Sequence, residues 1–418
     1  MKKILFLFTK QFPYGNQETY IEYELPYMER FFEKVYVIPH DEFQYIENNR
    51  LSEDETFQII KINKELKKLQ FNQIIKREIV ALKILLGEIF WGREKWNHIK
   101  YFFKLLGQLR HLYSSAFYLD YFIKTQKQNE NEIIFYTYWL HRGSIISGIL
   151  KNEFKYNSLL ISRAHSVDLF HKDWGIKVDG KKIFLPFEFY KIKVSDKIYS
   201  ISNLGYKHFI KNFPKYKHKF YTSYLGVFKP NENKNKIINN QFIVLSCSNV
   251  TKNKRIEFIP DIISELKGNF IWYHIGDGDK NIIDEINNKI KKYNLQEKCF
   301  LLGYKTKDEV KNFYETHSVN LFINLSLVEG IPVSLMEVAS YGVPMIATDV
   351  GGNNEIVNND NGLLIPKNFN IKDIANWINN LMKDQDKWKK LSENAYIIFE
   401  EKFNADKNFL EFYLSLQS

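Results

Sequence analysis

Short apolar runs alternate with segments of helical periodicity in two separate series, and this double alternation restricts the fold more than any other feature of the chain. The first series is Lys3–Thr9, Lys34–Pro39, Ile133–Tyr138, Ser158–Ala164 and Lys197–Ser202. The second is Phe242–Cys247, Asn269–Ile275, Lys298–Leu302, Val319–Leu325 and Val343–Thr348. Between neighbours lie helical patterns, such as that from about Glu18 to Phe32 and that from about Arg255. A strand that returns parallel to its neighbour needs such a crossover, so each series predicts a parallel sheet covered on both faces. Lys229–Gln241, rich in Lys and Asn and apolar only at Ile237–Ile238, reads as the linker. The expectation is an α/β protein of two doubly wound sheets, with ligands at the carboxyl ends of the strands.

A length of 418 residues suits two cores better than one. Two cysteines, Cys247 and Cys299, give no disulfide framework. The opening Met-Lys-Lys-Ile-Leu-Phe-Leu-Phe-Thr-Lys has too short an apolar run for a signal peptide and reads as a buried first strand. No uncharged apolar run reaches the roughly 18 residues of a membrane span, so a cytoplasmic location is expected. The net charge of +10 is uneven: Lys61–Arg110 carries twelve Lys or Arg against four Glu. Ile79, Trp91, Trp96 and Phe103 lie among these charges. That pattern reads as basic amphipathic helices, either a solvated face over a core or a surface for anionic lipid at the inner face of the membrane. Nucleic acid is not expected, because no recognition module accompanies the charge.

The densest functional signal is "EGIPVSLMEVASYGVPMIATDVGG", Glu329–Gly352. Val319–Leu325 is apolar enough for a buried strand, Ser326–Ile331 is its loop, and Pro332 suits the first turn of a helix. Gly342 suits the end of that helix and Pro344 stops it. The helix start, with free N–H groups and a positive dipole end, is a seat for phosphate or sugar groups. Glu329 precedes it and Glu337 follows about one and a half turns in; carboxylates in such places accept hydrogen bonds from vicinal hydroxyls.

This stretch resembles the E-x₇-E motif of the family-4 retaining glycosyltransferases, whose fold is GT-B: two Rossmann-like doubly wound domains facing a cleft. The resemblance implies that Glu337 binds a nucleotide ribose, that Glu329 meets donor-sugar hydroxyls, and that the backbone of Gly330, Ile331, Pro332 and Val333 faces sugar and diphosphate. "SCSNVTKNKR", Ser246–Arg255, stands at the diphosphate clamp. Lys254 matches the family lysine, Ser248 and Asn249 replace a Gly-Arg, and Arg255 is the candidate second cation. "HIGDGDK", His274–Lys280, resembles the family's Gly-x-Gly turn at Gly276, and "LLGY" sets Gly303 and Tyr304 against the base.

In the first half, "FPYGNQETY" resembles the loop after the first strand, with Gly15 allowing close approach to the donor and Asn16 as a helix cap. Glu18 reads as an acid in the first turn. "RAHSVDLF" places His165 at the reaction centre, with Ser166 in place of the family glycine and Asp168 structural. "YWLHRG" offers His141 and Arg142 on the acceptor side.

The resemblance implies domains of 1–228 and 242–399, with a C-terminal helix from about 400 to 418 returning to the first. It implies retention of anomeric configuration, a nucleotide diphosphate sugar as donor (UDP by family frequency), and a saccharide acceptor, lipid-linked if the basic helices meet a membrane. No cofactor or metal is expected, since no Asp-x-Asp lies at a strand end and Asp277–Asp279 sits in the Gly-rich turn. A sugar-nucleotide epimerase or a catalytically silent acceptor-binding subunit on the same fold are the alternatives.

Overall fold

The computed structural model describes residues 3–15, 18–40, 49–62, 69–128, 131–165, 168–169, 177–178, 181–182, 184–230 and 241–417. Asn16 and Ser166 lie outside them, as do Lys64, Lys67 and Lys68 of the basic stretch. The chain forms two compact units, Met1–Ser223 with Phe409–Ser418, and Tyr224–Asn408.

The first unit is built on β1 (Lys3–Thr9), β2 (Lys34–Pro39), β3 (Phe57–Ile59), β4 (Glu132–Thr137) and β5 (Ser158–Ala164). A two-residue hairpin, β6 (Lys177–Val178) and β7 (Lys181–Lys182), stands apart, and β8 (Lys197–Ser200) and β9 (Phe220–Thr222) complete the sheet. The order β3-β2-β1-β4-β5-β8-β9 is parallel throughout and reverses between β1 and β4. Its helices include α1 (Leu25–Phe31), α2 (Phe71–Trp91), α3 (Lys95–Lys100), α4 (Phe102–Thr125) and α5 (Arg142–Glu153). The long α2 and α4 pack together through Val80, Ile84 and Leu109, which are buried in one cluster with Ile4, Phe6 and Phe135 of the sheet.

Beneath the C-terminal helix Ala405–Leu414 lies a buried ionic centre that the apolar pattern does not signal. Glu24 and Arg163 are both fully buried and 3.3 Å apart. Tyr138 and Tyr413 donate to the Glu24 carboxylate at 2.7 and 3.0 Å. The Arg163 guanidinium donates to Tyr136 at 2.7 Å and lies 4.7 Å from the Phe412 ring. Charges buried this deeply persist only when paired and hydrogen-bonded, so the centre fixes where Tyr413 and its helix dock.

The second unit holds β10 (Phe242–Cys247), β11 (Phe270–Ile275), β12 (Cys299–Leu301), β13 (Val319–Asn324), β14 (Met345–Thr348) and β15 (Gly362–Ile365). Their order β12-β11-β10-β13-β14-β15 is again parallel, and it reverses between β10 and β13. Loops leaving the two strands at such a reversal diverge to opposite faces and open a crevice at the carboxyl ends.

Two local expectations are corrected. The segment from Glu18 to Phe32 is not one helix: a 3-10 turn, Thr19–Tyr23, precedes α1, and Glu18 has a left-handed backbone with φ of 58°. The helical pattern from about Arg255 begins as a 3-10 turn, Ile256–Phe258, and continues as Ile259–Ile263.

Candidate active site

In the second unit the candidate residues converge on the reversal point. The loop after β10 brings Lys254, and the loop after β13 brings Glu329; their charged groups meet at 2.5 Å. Ser326 donates to the same Glu329 oxygen at 2.6 Å. The backbones are stitched together as well: Leu327 N–H donates to the Asn253 carbonyl at 2.8 Å, and the Asn253 side chain donates to the Val328 carbonyl at 3.0 Å. A short ion pair between largely buried side chains, held by two cross-linked loops, is a preorganised charge site rather than a surface accident.

Glycines permit this close packing of loops. Gly351, with φ of 57°, has its Cα so near the Glu329 carbonyl that an added Cβ would lie 1.8 Å from that oxygen, and Gly352 N–H donates to the Gly330 carbonyl at 2.6 Å. Gly276, φ of 142°, is pressed likewise against the Ser248 carbonyl, and its N–H donates to the Gly303 carbonyl at 2.8 Å. The turns after β10, β11, β12, β13 and β14 therefore form one continuous rim. On it Ser248 and Asn249 follow β10, and Tyr304 stands exposed after Gly303.

The helix Val333–Ser340 starts at Pro332, which acts as its N-cap without a side-chain cap, and Gly342 follows its end with φ of 63°. Ile331 is buried and packs against Gly352. Glu337 lies in the second turn of the helix, where its charge bears on Cys247, Tyr314 and Tyr341. Burial pushes the Cys247 thiol up to about 12, and Glu337 adds to the shift.

Arg255 does not supply the expected second cation. Its backbone is left-handed, φ of 53°, which turns the side chain away from Lys254 and into the protein. There the guanidinium donates to the carbonyls of Leu325 at 2.5 Å and Lys367 at 2.8 Å, with Phe369 against its plane. It braces the end of β13.

In the first unit the loops after β1 and β4 meet at the other reversal point. Glu18 is the tie. Its carboxylate accepts from the N–H groups of Lys10, Gln11 and Phe12 at 3.0, 2.6 and 2.7 Å, and from the Trp139 indole at 2.5 Å. The loop ends at Gly15, φ of 66°. Sequence reasoning gave Glu18 only a dipole role; the signal available was an acid beside a Gly-containing loop, which specifies no partner. Trp139 in turn stacks on His165, ring centroids 4.2 Å apart, and Tyr20 and Tyr138 lie at 5.6 and 5.5 Å from the same imidazole.

His165 N–H donates to Asp168 at 2.9 Å, and its Nε2 is buried with no hydrogen-bond partner among the described residues. Burial, then the Arg163 charge, pushes the imidazole down to about 3, so it is neutral at pH 7. His141 is likewise held down to about 3 by desolvation and the Lys191 ammonium. His141 and Arg142 open α5 and line a cavity of about 470 Å³ with His111 and Lys191. A smaller one of about 160 Å³ joins His141 to Lys10, His40 and Trp139. Gly143 lets α5 lie this close to β1, since a Cβ there would come 2.7 Å from Phe8. Among the described residues no group of three or more His, Cys, Asp or Glu is arranged to hold a metal ion.

Residues 227–397 match the family described as glycosyl transferases group 1. The O-antigen biosynthesis glycosyltransferase WbnH of Escherichia coli is 30% identical over 195 residues, 46% of this chain and 54% of that protein. The chain thus spans about half the length of this curated relative. The E. coli UDP-Gal:alpha-D-GlcNAc-diphosphoundecaprenol alpha-1,3-galactosyltransferase is 32% identical over 118 residues, 28% of each chain. Among solved structures, Anabaena Alr3699/HepE in complex with UDP superposes with a TM-score of 0.66 at 16% identity, over 99% of both chains. Residues 227–397 are thus a glycosyl transferases group 1 domain, in a chain with the GT-B fold of the glycosyltransferases.

Proposed function

We propose that the protein is a family-4 retaining glycosyltransferase. It moves a hexose or N-acetylhexosamine from a nucleotide diphosphate sugar, with UDP as the nucleotide, to a saccharide acceptor in cell-surface polysaccharide or glycoconjugate synthesis. The observation that carries this reading is the contact of Lys254, Glu329 and Ser326 at the β10/β13 reversal, the kind of point in an open parallel sheet where loops diverge and ligands bind. The names of the O-antigen and diphosphoundecaprenol relatives support the acceptor class, and the UDP complex of the structural neighbour supports the nucleotide.

In the proposed reaction the bond from sugar C1 to the diphosphate oxygen breaks. An acceptor hydroxyl oxygen bonds to C1 from the same face, and its proton passes to the departing phosphate. The developing charge falls on the diphosphate, so a fixed ammonium nearby is worth most in the transition state. Lys254 is that ammonium. A bound diphosphate draws it from Glu329 and frees the carboxylate for sugar hydroxyls, while Glu337 takes the ribose. Gly276, Gly303 and Tyr304 form the base side of the rim. Neutral His165 offers an unpartnered Nε2 to a sugar hydroxyl, and the cavity at His141 and Arg142 receives the acceptor. Transfer is proposed to need no metal. The acceptor is carried on a lipid at the inner face of the membrane.

A thermal-shift screen of nucleotide sugars tests the donor class. A ligand at a hundred times its dissociation constant stabilises by about 2.7 kcal/mol. UDP-sugars should raise the melting temperature of the wild type and not of Glu337→Ala. Stabilisation by none of them, or equal stabilisation of the variant, would refute the donor assignment.

A further inference from the structure

Helix α2 has two apolar faces, and only one is covered. Val80, Ala81, Ile84 and Leu85 are buried against the unit's core. On the other side Phe71, Ile75, Ile79, Leu82, Leu86 and Phe90 follow one another at spacings of four, four, three, four and four residues. That spacing keeps all six on a single stripe. From Phe71 to Phe90 the stripe spans twenty residues of helix, roughly 30 Å at 1.5 Å per residue. All six are exposed, Phe71 at 78% of its surface. The stripe continues in sequence into Trp91, then Trp96 and Phe103, the last two exposed at 81% and 84%. Scattered exposed apolar residues are ordinary; an uninterrupted row of this length is the mark of an interaction surface.

Charge selects the occupant. A groove beside the stripe is lined by Ile79, Leu82, Leu86 and Phe90 together with Lys83 and Lys193; no carboxylate lines it, while the exposed Lys83 ammonium lies 3.3 Å from Glu153 of α5, a solvent-exposed pair worth little. The described acids of segment 69–110 are all engaged elsewhere. Glu78 is bridged by Arg77 and Arg110, Glu88 is buried against Tyr190 N–H, and Glu94 accepts from Asn97. A second copy meeting this groove would set lysine against lysine, whereas an anionic bilayer offers hydrocarbon to the stripe and phosphate to the lysines.

We infer that the outer face of α2 is the surface by which the protein lies on an anionic membrane, with Lys83 and Lys193 at the headgroups. This deepens the acceptor side of the reading above and rests on it for its biological sense, because a lipid-carried acceptor would then be met in the plane of the bilayer.

The test uses the full chain and sedimentation with vesicles of phosphatidylethanolamine and phosphatidylglycerol, against vesicles of phosphatidylcholine alone. At low salt the anionic vesicles should bind at least about tenfold more strongly, and the preference should collapse in 0.5 M salt, where charges are screened within a few ångströms. The triple substitution Leu82→Glu, Leu86→Glu and Phe90→Glu should abolish binding, and Lys83→Glu with Lys193→Glu should weaken it by about tenfold. Both variants should keep the wild-type circular dichroism and stabilisation by nucleotide sugar. Absence of binding to anionic vesicles, or binding that the triple variant retains, overturns the inference. So does a wild-type dimer in sedimentation velocity that the triple variant dissociates, since the face would then belong to a second copy. Failure of nucleotide sugars to stabilise the wild type would sink the transferase reading and leave vesicle binding as it stands.

Discussion

Among single residues, Lys254 and Glu329 bear most on the chemistry through what they do to each other. Each neutralises the other across two loops, so removing one leaves its partner with an unmatched charge at the site. Lys254→Ala should lower turnover by about 10²–10³, the scale for losing one preorganised stabiliser of charge. Glu329→Ala should lower turnover with a smaller effect on donor affinity, because the sugar loses its reactive pose. Glu337→Ala should instead weaken nucleotide binding, as calorimetric titration with UDP would show. Equal wild-type kinetics in Lys254→Ala and Glu329→Ala would break the argument. Where Glu329 and Glu337 stand along the chain was legible in the sequence, because strand, loop, proline and helix set their places; the contact of Glu329 with Lys254 was not. Arg255 was not, because nothing in its side chain announces a left-handed backbone. Glu18 was not, because its partners are backbone N–H groups of the loop six to eight residues before it, which carry no side-chain signal, and the Trp139 indole from far along the chain.

At the scale of elements, the rim of the second unit is a stack of turns brought into contact where side chains are missing. Gly351 and Gly303 separate two reasons for a glycine. Both have positive φ, but a Cβ at Gly303 meets nothing within 4 Å while one at Gly351 would collide with the Glu329 carbonyl. Gly303→Ala should therefore cost only the left-handed penalty of about 1–2 kcal/mol. Gly351→Ala should cost more and should impair turnover as Glu329→Ala does, because the loop carrying Glu329 must move. Thermal melts and kinetics on the two variants would show this; equal melting temperatures would contradict it. Strand placement was legible wherever a run was long and buried: Lys3–Thr9, Lys34–Pro39, Ser158–Ala164 and Phe242–Cys247 form as the sequence indicates. The three- and four-residue strands Phe57–Ile59, Phe220–Thr222 and Gly362–Ile365 were not, since an edge strand needs few apolar residues and gives little periodicity.

For the whole molecule, stability should depend on pH through its buried imidazoles. His165 is pushed down to about 3, and His98 and His274 to about 4, with burial the first cause in each. A histidine depressed in the folded state lets the unfolded chain bind more protons as pH falls below about 6.5, so stability is lost from there down to the folded value. Glu88 opposes this, since burial raises it to about 7 and its contribution grows as pH falls toward the usual carboxylate range. With His40 and His141 also held down to about 3, these five histidines outweigh one carboxyl, so the melting temperature should fall between pH 7 and pH 4, and His274→Phe should flatten the slope. A melting temperature that rises over that interval would show that the imidazoles are not buried as described.

The proposed reaction is a metal-free transfer with retention in which Lys254 and Glu329 of the second unit hold the donor. It is tested most directly by following a UDP-sugar with the wild-type protein in excess chelator by proton NMR, and reading the anomer of the first product formed, before mutarotation. An α-linked donor should give an α product first, and Lys254→Ala should slow its appearance by about 10²–10³. A β product formed first, or turnover that appears only when Mn²⁺ is restored, would contradict it.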